Sequence, residues 1–267
     1  MHPFENLHVP ETAVGIHWFG QSSFALKNPA GTIVLVDPHF PHDRPPDTFI
    51  HSDPPLDEST LRIDAVLMTH DHGDHTCVET LSRIAGSHPN SQFVGPPESV
   101  ARFKPCDIDV GQLITIEAGS HAQISTFAVD AVWAKPPCAL PEDGIGDPGT
   151  THLGYVVDTG GARVYISGDP IRTFAEHDSL IAPIRALRPD IGLLTTHPTE
   201  GEFPDFQGSA QTAARLDLKA VVPAHYGCFV ARTYDPRTWA TAVEDLGTKT
   251  MIIPYNDVIV YSASCKP

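Results

Sequence analysis

The chain has 267 residues, of which 41% are hydrophobic, so it can bury a sizeable core in one large α/β or all-β domain. Acidic residues outnumber basic residues by 33 to 17, and the net charge of −16 argues against a nucleic-acid partner. No apolar run is long enough to cross a bilayer, which argues against a membrane protein.

The start of the chain and its cysteines favour a cytoplasmic protein. Residues 1–6 lack the basic and apolar regions that open a secretory signal. The five cysteines are dispersed and odd in number, and no C-x-x-C pair occurs, so a disulfide framework is not expected. We expect a small-molecule substrate as the partner, and assembly into a homo-oligomer stays open.

Short strands dominate the first half of the predicted elements. Residues 15–26 and 32–36 have the composition of two strands joined by a turn. A short apolar strand at residues 65–68 precedes a helix at residues 76–85, which the apolar spacing predicts. Further strands are expected at residues 93–94, 113–117, 122–129 and 155–158.

Strands and helices alternate in the second half. After the turn at Gly160 and Gly161, the predicted elements are strands at residues 163–167, 191–194, 220–223, 251–253 and 258–261 and helices at residues 210–218 and 239–246. No low-complexity linker separates the halves, and the Pro- and Gly-rich residues 136–149 read as an exposed loop. We predict one domain over residues 1–267, a four-layer αββα sandwich with two stacked sheets inside.

The densest cluster of potential metal ligands directly follows the strand at residues 65–68. It consists of His70, His72, Asp74 and His75. Imidazole and carboxylate groups suit zinc, iron and manganese, and packing gives no reason to crowd four such groups at one strand end. The segment therefore predicts a metal site.

The same segment resembles a known family. The spacing of His70, His72, Asp74 and His75 matches the metal-binding signature of the metallo-β-lactamase superfamily. Residues 167–169 and 223–227 resemble two later motifs of that superfamily, in the same order. Residues 16–24 and 35–38 resemble the opening of the branch that contains L-ascorbate-6-phosphate lactonase. The resemblance extends over residues 16–261.

The resemblance implies one or two divalent metal ions, with zinc, manganese or iron as candidates. His70 and His72 would hold the first ion. Asp74, His75 and His225 would hold the second, and Asp169 would bridge the two. Asp74 would also orient the attacking water, which the ions make acidic enough to act as the nucleophile.

Two positions depart from the family pattern. The superfamily usually supplies another histidine after the strand that here ends near Trp133, and its opening motif commonly has histidine where this chain has Gln21. His152 and His197 are the candidates to complete the first site. His197 is favoured because it follows a strand end, and it is also a candidate catalytic residue. We therefore expect two unequal metal sites.

Weaker candidates for the site lie near these motifs. Tyr226 follows His225 and is a candidate donor to a developing oxyanion, although it could equally cap a strand edge. Lys135 and Arg172 could bind an anionic substrate group, but surface charges are the more common role. Cys138 and Cys228 could bind a soft metal, but most lone cysteines are packing residues.

The sequence favours a metal-dependent hydrolase of a small ester, lactone or phosphodiester. The alternative is a metal-binding protein with a degenerate first site and no turnover, such as a sensor, which the departures at Gln21 and Trp133 keep open. An RNA-processing nuclease of the same superfamily is a third reading, and the net charge of −16 argues against it. The metal ligands do not reveal the acyl group, so thioesters and β-lactams also stay open.

Overall fold

The computed structural model describes residues 2–103, 108–136 and 149–263. One sheet has seven strands in the order β14-β1-β2-β3-β4-β5-β6. These strands are β1 (Ala13–Trp18), β2 (Phe24–Lys27), β3 (Ile33–Val36), β4 (Ala65–Leu67), β5 (Gln92–Gly95), β6 (Leu113–Thr115) and β14 (Asp257–Ser262). Strands β3 to β6 are parallel, so their carboxyl ends lie at one edge of the sheet.

The second sheet also has seven strands, in the order β13-β12-β11-β10-β9-β8-β7. They are β7 (His121–Ile124), β8 (Phe127–Lys135), β9 (His152–Asp158), β10 (Arg163–Ile166), β11 (Ile191–Thr195), β12 (Ala220–Ala224) and β13 (Lys249–Thr250). Strands β10 to β13 are parallel, whereas β9 is antiparallel to β10. The first residue of β9 therefore lies at the edge where β10 ends.

The helices cover the outer faces of the two sheets. They are α1 (Val78–Ser87), α2 (Pro97–Ala101), α3 (Asp178–Ala186), α4 (Phe206–Arg215) and α5 (Pro236–Glu244). Short 3₁₀ turns occur at Pro3–Asn6, Glu58–Thr60, Val110–Gln112, Phe174–Glu176 and Val230–Arg232. No helix among the described residues has both the length and the apolar character needed to span a membrane.

The side-chain alternation of the strands builds three apolar layers. In β10, Val164 and Ile166 point into the core between the sheets, while Tyr165 points outward to the helices of the second sheet. On the first sheet, Leu81 and Ile84 of α1 pack against the outward-facing residues of its strands. The predicted four-layer αββα sandwich is therefore confirmed.

Two predicted strands are each divided in the structure. Residues 15–26 form β1 and β2, which pair antiparallel across the tight loop at residues 19–23. Residues 122–129 fall within the hairpin of β7 and β8, where Ser125 has a φ of +54° at the turn. Both connections are short, five residues in the first and two in the second, so each pair of strands was predicted as one element.

The candidate metal centre

The centre begins in the turn that follows β4. The backbone N–H groups of His75 and Thr76 both donate to the His72 carbonyl, at 3.0 and 2.7 Å, and the Thr76 hydroxyl donates to the His70 carbonyl at 2.6 Å. This tight turn buries His70 and His75 completely and leaves His72 exposed. The turn thus directs His70 and His75 into the gap between the sheets and His72 toward solvent.

Three residues from later in the chain, His152, Asp169 and His225, meet this turn at the edge between the sheets. The candidate ligand atoms fall into three groups, and within each group they all lie within 4.8 Å of one another. The groups are His70, His72 and His152, which we call the first triad; Asp74, His75 and His225, the second triad; and His70, His75 and Asp169, which links them. Because the groups share His70 and His75, they form one continuous centre.

Unsatisfied atoms in this centre suit a bound cation. His70 Nε2 and His75 Nε2 are buried without a hydrogen-bond partner among the described residues. They lie 3.5 and 3.4 Å from Asp169 Oδ2, beyond hydrogen-bond distance. Two ligands of one zinc ion, with bonds of about 2.0–2.1 Å, lie about 3.4 Å apart. The residues therefore fit a metal ion better than they satisfy one another.

Asp37 fixes the orientation of His75. The Asp37 carboxylate accepts hydrogen bonds from His75 Nδ1 at 2.8 Å, from the Thr69 amide at 2.8 Å and from the Thr69 hydroxyl at 2.7 Å. With the proton on Nδ1, His75 would offer the lone pair of Nε2 to a metal ion bound beside Asp169. This carboxylate–histidine pair is the usual arrangement that orients a metal-binding imidazole.

The charges of the buried groups depend on each other. Burial raises the pKa of Asp169, but the imidazoles of His75, His225 and His70 outweigh this effect and hold it well below its usual value. Burial lowers the pKa of His75, and the carboxylates of Asp169, Asp74 and Asp37 raise it well above its usual value instead. The neighbouring imidazoles thus keep the buried Asp169 carboxylate ionised.

The third histidine of the first triad is His152, at the start of β9. Its ring stacks on His70 with a centroid distance of 4.1 Å and lies edge-on to His72 at 5.1 Å. Burial, followed by the charge of Lys135, lowers the pKa of His152 to about 3, which keeps the imidazole neutral. A neutral imidazole has the lone pair that a metal ion requires.

A family model described as the beta-lactamase superfamily domain matches residues 15–225. The chain belongs to this superfamily. A metal-dependent hydrolase of Anaeromyxobacter sp. (strain K) is 27% identical over 242 residues, which cover 88% of this chain and 84% of that protein. The predicted superfamily and the class of metal-dependent hydrolase are therefore confirmed, and the centre described above indicates use of a divalent metal.

Solved structures share the fold at lower identity. A metallo hydrolase of Ignicoccus hospitalis KIN4/I superposes with a TM-score of 0.69 at 20% identity, covering 94% of this chain and 99% of that one. An isothiocyanate hydrolase from Delia radicum gut bacteria superposes with a TM-score of 0.71 at 15% identity, covering 93% and 99%. The metallo-β-lactamase architecture thus extends over nearly the whole chain.

The structure reverses the order in which His152 and His197 were favoured. His152 joins the first triad, whereas His197 lies in none of the three groups. His197 Nδ1 accepts hydrogen bonds from the amides of Thr199 and Glu200, at 3.4 and 3.1 Å, which tie the ring to its own loop. The described residues thus place His152, the less favoured of the two candidates, where it can complete the first triad. Whether the two sites are unequal stays a prediction.

Tyr226 packs in the core between the sheets, although it follows His225. Its ring stacks on Trp18 with a centroid distance of 4.4 Å and packs against Tyr234 at 4.9 Å, within the core between the sheets. His225 has a φ of +67°, so the chain turns sharply here and the two neighbouring side chains diverge. These contacts favour a structural role for Tyr226, and its role as an oxyanion donor stays a prediction.

The two candidate anion-binding residues differ in burial. Lys135 is 6% exposed, pairs with His152 in the register of β8 and β9, and contacts Glu202 through an Nζ–Oε1 distance of 2.8 Å. Arg172 is exposed. A buried cation beside the first triad is unlike a solvated surface charge, so the structure favours Lys135 as the functional residue of the two.

The cysteine candidates do not reach the centre in the described part of the chain. Cys228 is buried, and its Sγ lies 3.8 Å from an Arg44 guanidinium nitrogen. Burial raises the pKa of this thiol to about 11. Cys138 lies outside the described residues, as does most of the predicted loop at residues 136–149.

A cleft opens from the second triad to solvent. It encloses about 510 Å³ and is lined by His39, Asp47, Thr48, Gly73, Asp74, Phe229, Ala231 and Arg232. Two backbone hydrogen bonds, from Ile50 to Cys228 and from Val230 to Thr48, hold the two flanking segments together. The cleft thus offers apolar, aromatic and cationic groups to a small molecule near Asp74.

Proposed function

We propose that the chain holds two divalent metal ions and hydrolyses a small ester, lactone or phosphodiester. His70, His72 and His152 would hold the first ion, Asp74, His75 and His225 the second, and Asp169 would lie between them. The observation that carries this proposal is the continuity of the three groups through His70 and His75. The donor set of imidazoles and carboxylates suits zinc, manganese or iron.

The ions, when bound, supply an activated water and polarise the bond that is attacked. The protein contributes orientation and exclusion of solvent. Asp37 keeps the proton of His75 on Nδ1, and the buried Asp169 stays ionised. Asp74, with a side chain that is 18% exposed, reaches the cleft and can hold the water beside the substrate.

The position of Lys135 favours a substrate that carries an anionic group. Its ammonium group lies beside the first triad and has one partner, the half-exposed Glu202, among the hydrogen bonds of the described residues. An anionic substrate group can replace Glu202 at the same ammonium without creating an unpaired buried charge. Arg232, in the cleft on the other side of the centre, pairs in the same manner with Glu200 at 3.3 Å.

The test begins with metal-free protein, which is titrated with zinc, manganese and ferrous ions to count the sites. The loaded protein is then assayed on a phosphodiester, an aryl ester, a lactone and an aryl isothiocyanate, the last because one structural neighbour hydrolyses that class. Asp74→Ala is the matched inactive variant. Two bound ions with turnover that requires Asp74 support the proposal.

Other outcomes separate the alternatives. Two bound ions without turnover on any substrate favour the metal-binding protein that lacks hydrolytic activity. Activity on RNA, with none on small substrates, favours a nuclease. Turnover by Asp74→Ala at the native rate contradicts the mechanism, because the carboxylate is then unnecessary.

A further inference from the structure

Gln21 lies in the short loop between β1 and β2 and is completely buried. Two backbone hydrogen bonds tie the loop to the segment at His225, and a third bond ties it to Trp18 at the end of β1. The backbone N–H of Gln21 donates to the Tyr226 carbonyl at 2.8 Å. The backbone carbonyl of Gln21 accepts from the His225 backbone N–H and from the Trp18 indole, both at 3.0 Å. With a φ of +53°, the residue is held in a strained conformation that directs its side chain toward the centre.

The carboxamide of Gln21 touches two members of the second triad. Its Nε2 lies 2.9 Å from Asp74 Oδ2 and 3.0 Å from His225 Nε2, and these last two atoms are 3.6 Å apart. The other end of the amide, Oε1, is buried without a hydrogen-bond partner among the described residues. One end of the group thus has two partners and the other has none.

A bound cation changes which orientation of this amide is favourable. Once a metal ion takes the lone pair of His225 Nε2, that atom no longer accepts a hydrogen bond from Gln21. A rotation of the amide by half a turn exchanges the nitrogen and the oxygen with little change in shape. The carbonyl oxygen then faces Asp74 and His225. Gln21 Oε1 and Asp74 Oδ2 are both acceptors and repel each other at this distance unless they bind the same cation.

We infer that Gln21 Oε1 is an additional ligand of the metal ion held by Asp74, His75 and His225, an inference that rests on the proposed function. Adjacent ligands of an octahedral ion with bonds of about 2.1 Å lie about 3.0 Å apart. The amide atom of Gln21 lies 2.9 and 3.0 Å from its two neighbours. It therefore occupies a position where a further ligand fits without movement of the loop.

The added ligand has a consequence for the metal. Asp74, His75, Asp169 and His225 already provide the four donors that satisfy tetrahedral zinc. A fifth protein donor, which is a neutral amide oxygen, favours an ion with five or six ligands, such as Mn²⁺ or Fe²⁺. The second triad is thereby assigned to an ion of higher coordination number than the first triad requires.

The experiment uses the full-length protein loaded with Mn²⁺. The affinity is measured by the electron paramagnetic resonance of free Mn²⁺, and water-proton relaxation counts the exchangeable water ligands. Gln21→Leu removes the oxygen at similar size, whereas Gln21→Glu retains an oxygen and loses the amide donors. Ser22→Ala is the matched control, because this buried neighbour in the same loop also has an unpartnered side-chain oxygen among the described residues.

We expect Gln21→Leu to bind one Mn²⁺ at least about tenfold more weakly, which is the loss typical of removing one group around a metal ion. We also expect the ion to gain about one water ligand. Gln21→Glu should keep the native affinity and water count, as should Ser22→Ala. Native affinity in Gln21→Leu, or weakened binding in Gln21→Glu, would overturn the inference. A native protein that binds none of Mn²⁺, zinc and ferrous ions stoichiometrically refutes the proposed function instead, so the two failures are distinguishable.

Discussion

His152 stacks on His70 with a centroid distance of 4.1 Å, so an imidazole from the second sheet lies against one from the first. The contact is supported by the Leu153 amide, which donates to the Thr69 carbonyl at 2.9 Å, and by the Tyr155 hydroxyl, which donates to the Met68 carbonyl at 2.7 Å. The start of β9 is thus joined to the end of β4 at the point where the first triad forms.

Replacing His152 by alanine should remove one metal ion. The first triad then keeps two imidazoles, which hold a metal ion more weakly than three. We expect the metal content of the purified protein to fall from about two ions to about one, and turnover to fall by at least about a hundredfold. Elemental analysis and the hydrolysis assay measure the two effects.

His121→Ala is the control for that change. His121 is exposed on β7 and pairs with Asp130. Strand β7 lies at the edge of the second sheet, and β8 separates it from β9, which carries His152. The His121→Ala protein should retain the native metal content. Two tightly bound ions in the His152→Ala protein would show that the first triad is assembled differently.

Asp37→Asn should weaken the second metal site while preserving its ligands. The asparagine amide can still accept from Thr69, but its nitrogen faces His75 Nδ1 as a donor, which forces the proton onto Nε2. A protonated Nε2 cannot bind a metal ion. We expect a loss of about 10- to 100-fold in metal affinity, measured by competition with a chelator.

The matched control for Asp37 is Asp64, a carboxylate of the same sheet that accepts from the Ile33 amide at 2.8 Å. Asp64→Asn removes a comparable charge and contacts no histidine in the described hydrogen bonds. Its metal affinity should equal that of the native protein. Equal losses in both variants would assign the effect to general loss of charge and not to the orientation of His75.

Lys135→Met should weaken the binding of anionic substrates and leave the binding of neutral substrates nearly unchanged. Loss of a hydrogen bond to a charged group is worth about 1.5–3 kcal/mol, so we expect KM for an anionic ester to rise about 10- to 100-fold. KM for the matched neutral ester should change little, and kcat should be nearly constant for both. The exposed Arg172→Met is the control, and an equal rise of KM for both esters in Lys135→Met would argue against anion recognition.

Acid stability should depend on His17, which is buried and belongs to none of the three groups of candidate ligands. Its Nε2 contacts Asn256 at 2.9 Å and its ring stacks on Phe19 at 4.2 Å. Burial lowers the pKa of His17 from 6.5 to about 4. Between these values the unfolded chain binds more protons than the folded one, so the free energy of unfolding falls as the pH falls from 6.5 to 4.

His17→Phe should reduce this loss by up to about 3 kcal/mol at pH 4, the value of the pKa difference. Urea unfolding of the metal-free protein across this pH range measures it. Substitution of the exposed His8 by phenylalanine should leave the pH dependence parallel to that of the native protein. Identical slopes for His17→Phe and the native protein would mean that His17 does not carry the effect.

The local motifs of the site were predictable, whereas contacts across sheets were harder to foresee. His70, His75 and Asp169 follow apolar strands whose carboxyl ends meet at one edge, so periodicity and strand order place them together. His152 begins an antiparallel strand, and its approach to this edge follows from the pairing of β9 with β10, which the order of residues alone does not reveal. The packing of Tyr226 was not predictable, because the positive φ of His225 interrupts the extended backbone from which side-chain direction is inferred.

The bonds between the Gln21 loop and the segment at His225 join parts of the chain that are 204 residues apart. Translation therefore delivers the opening loop, the first histidines and Asp169 before the residue that closes the second triad exists. The nascent chain must keep His70, His72 and Asp74 without their later partners until His225 has been added. The centre can form in full only after the two sheets have docked, which makes metal uptake a reporter of the final stage of folding.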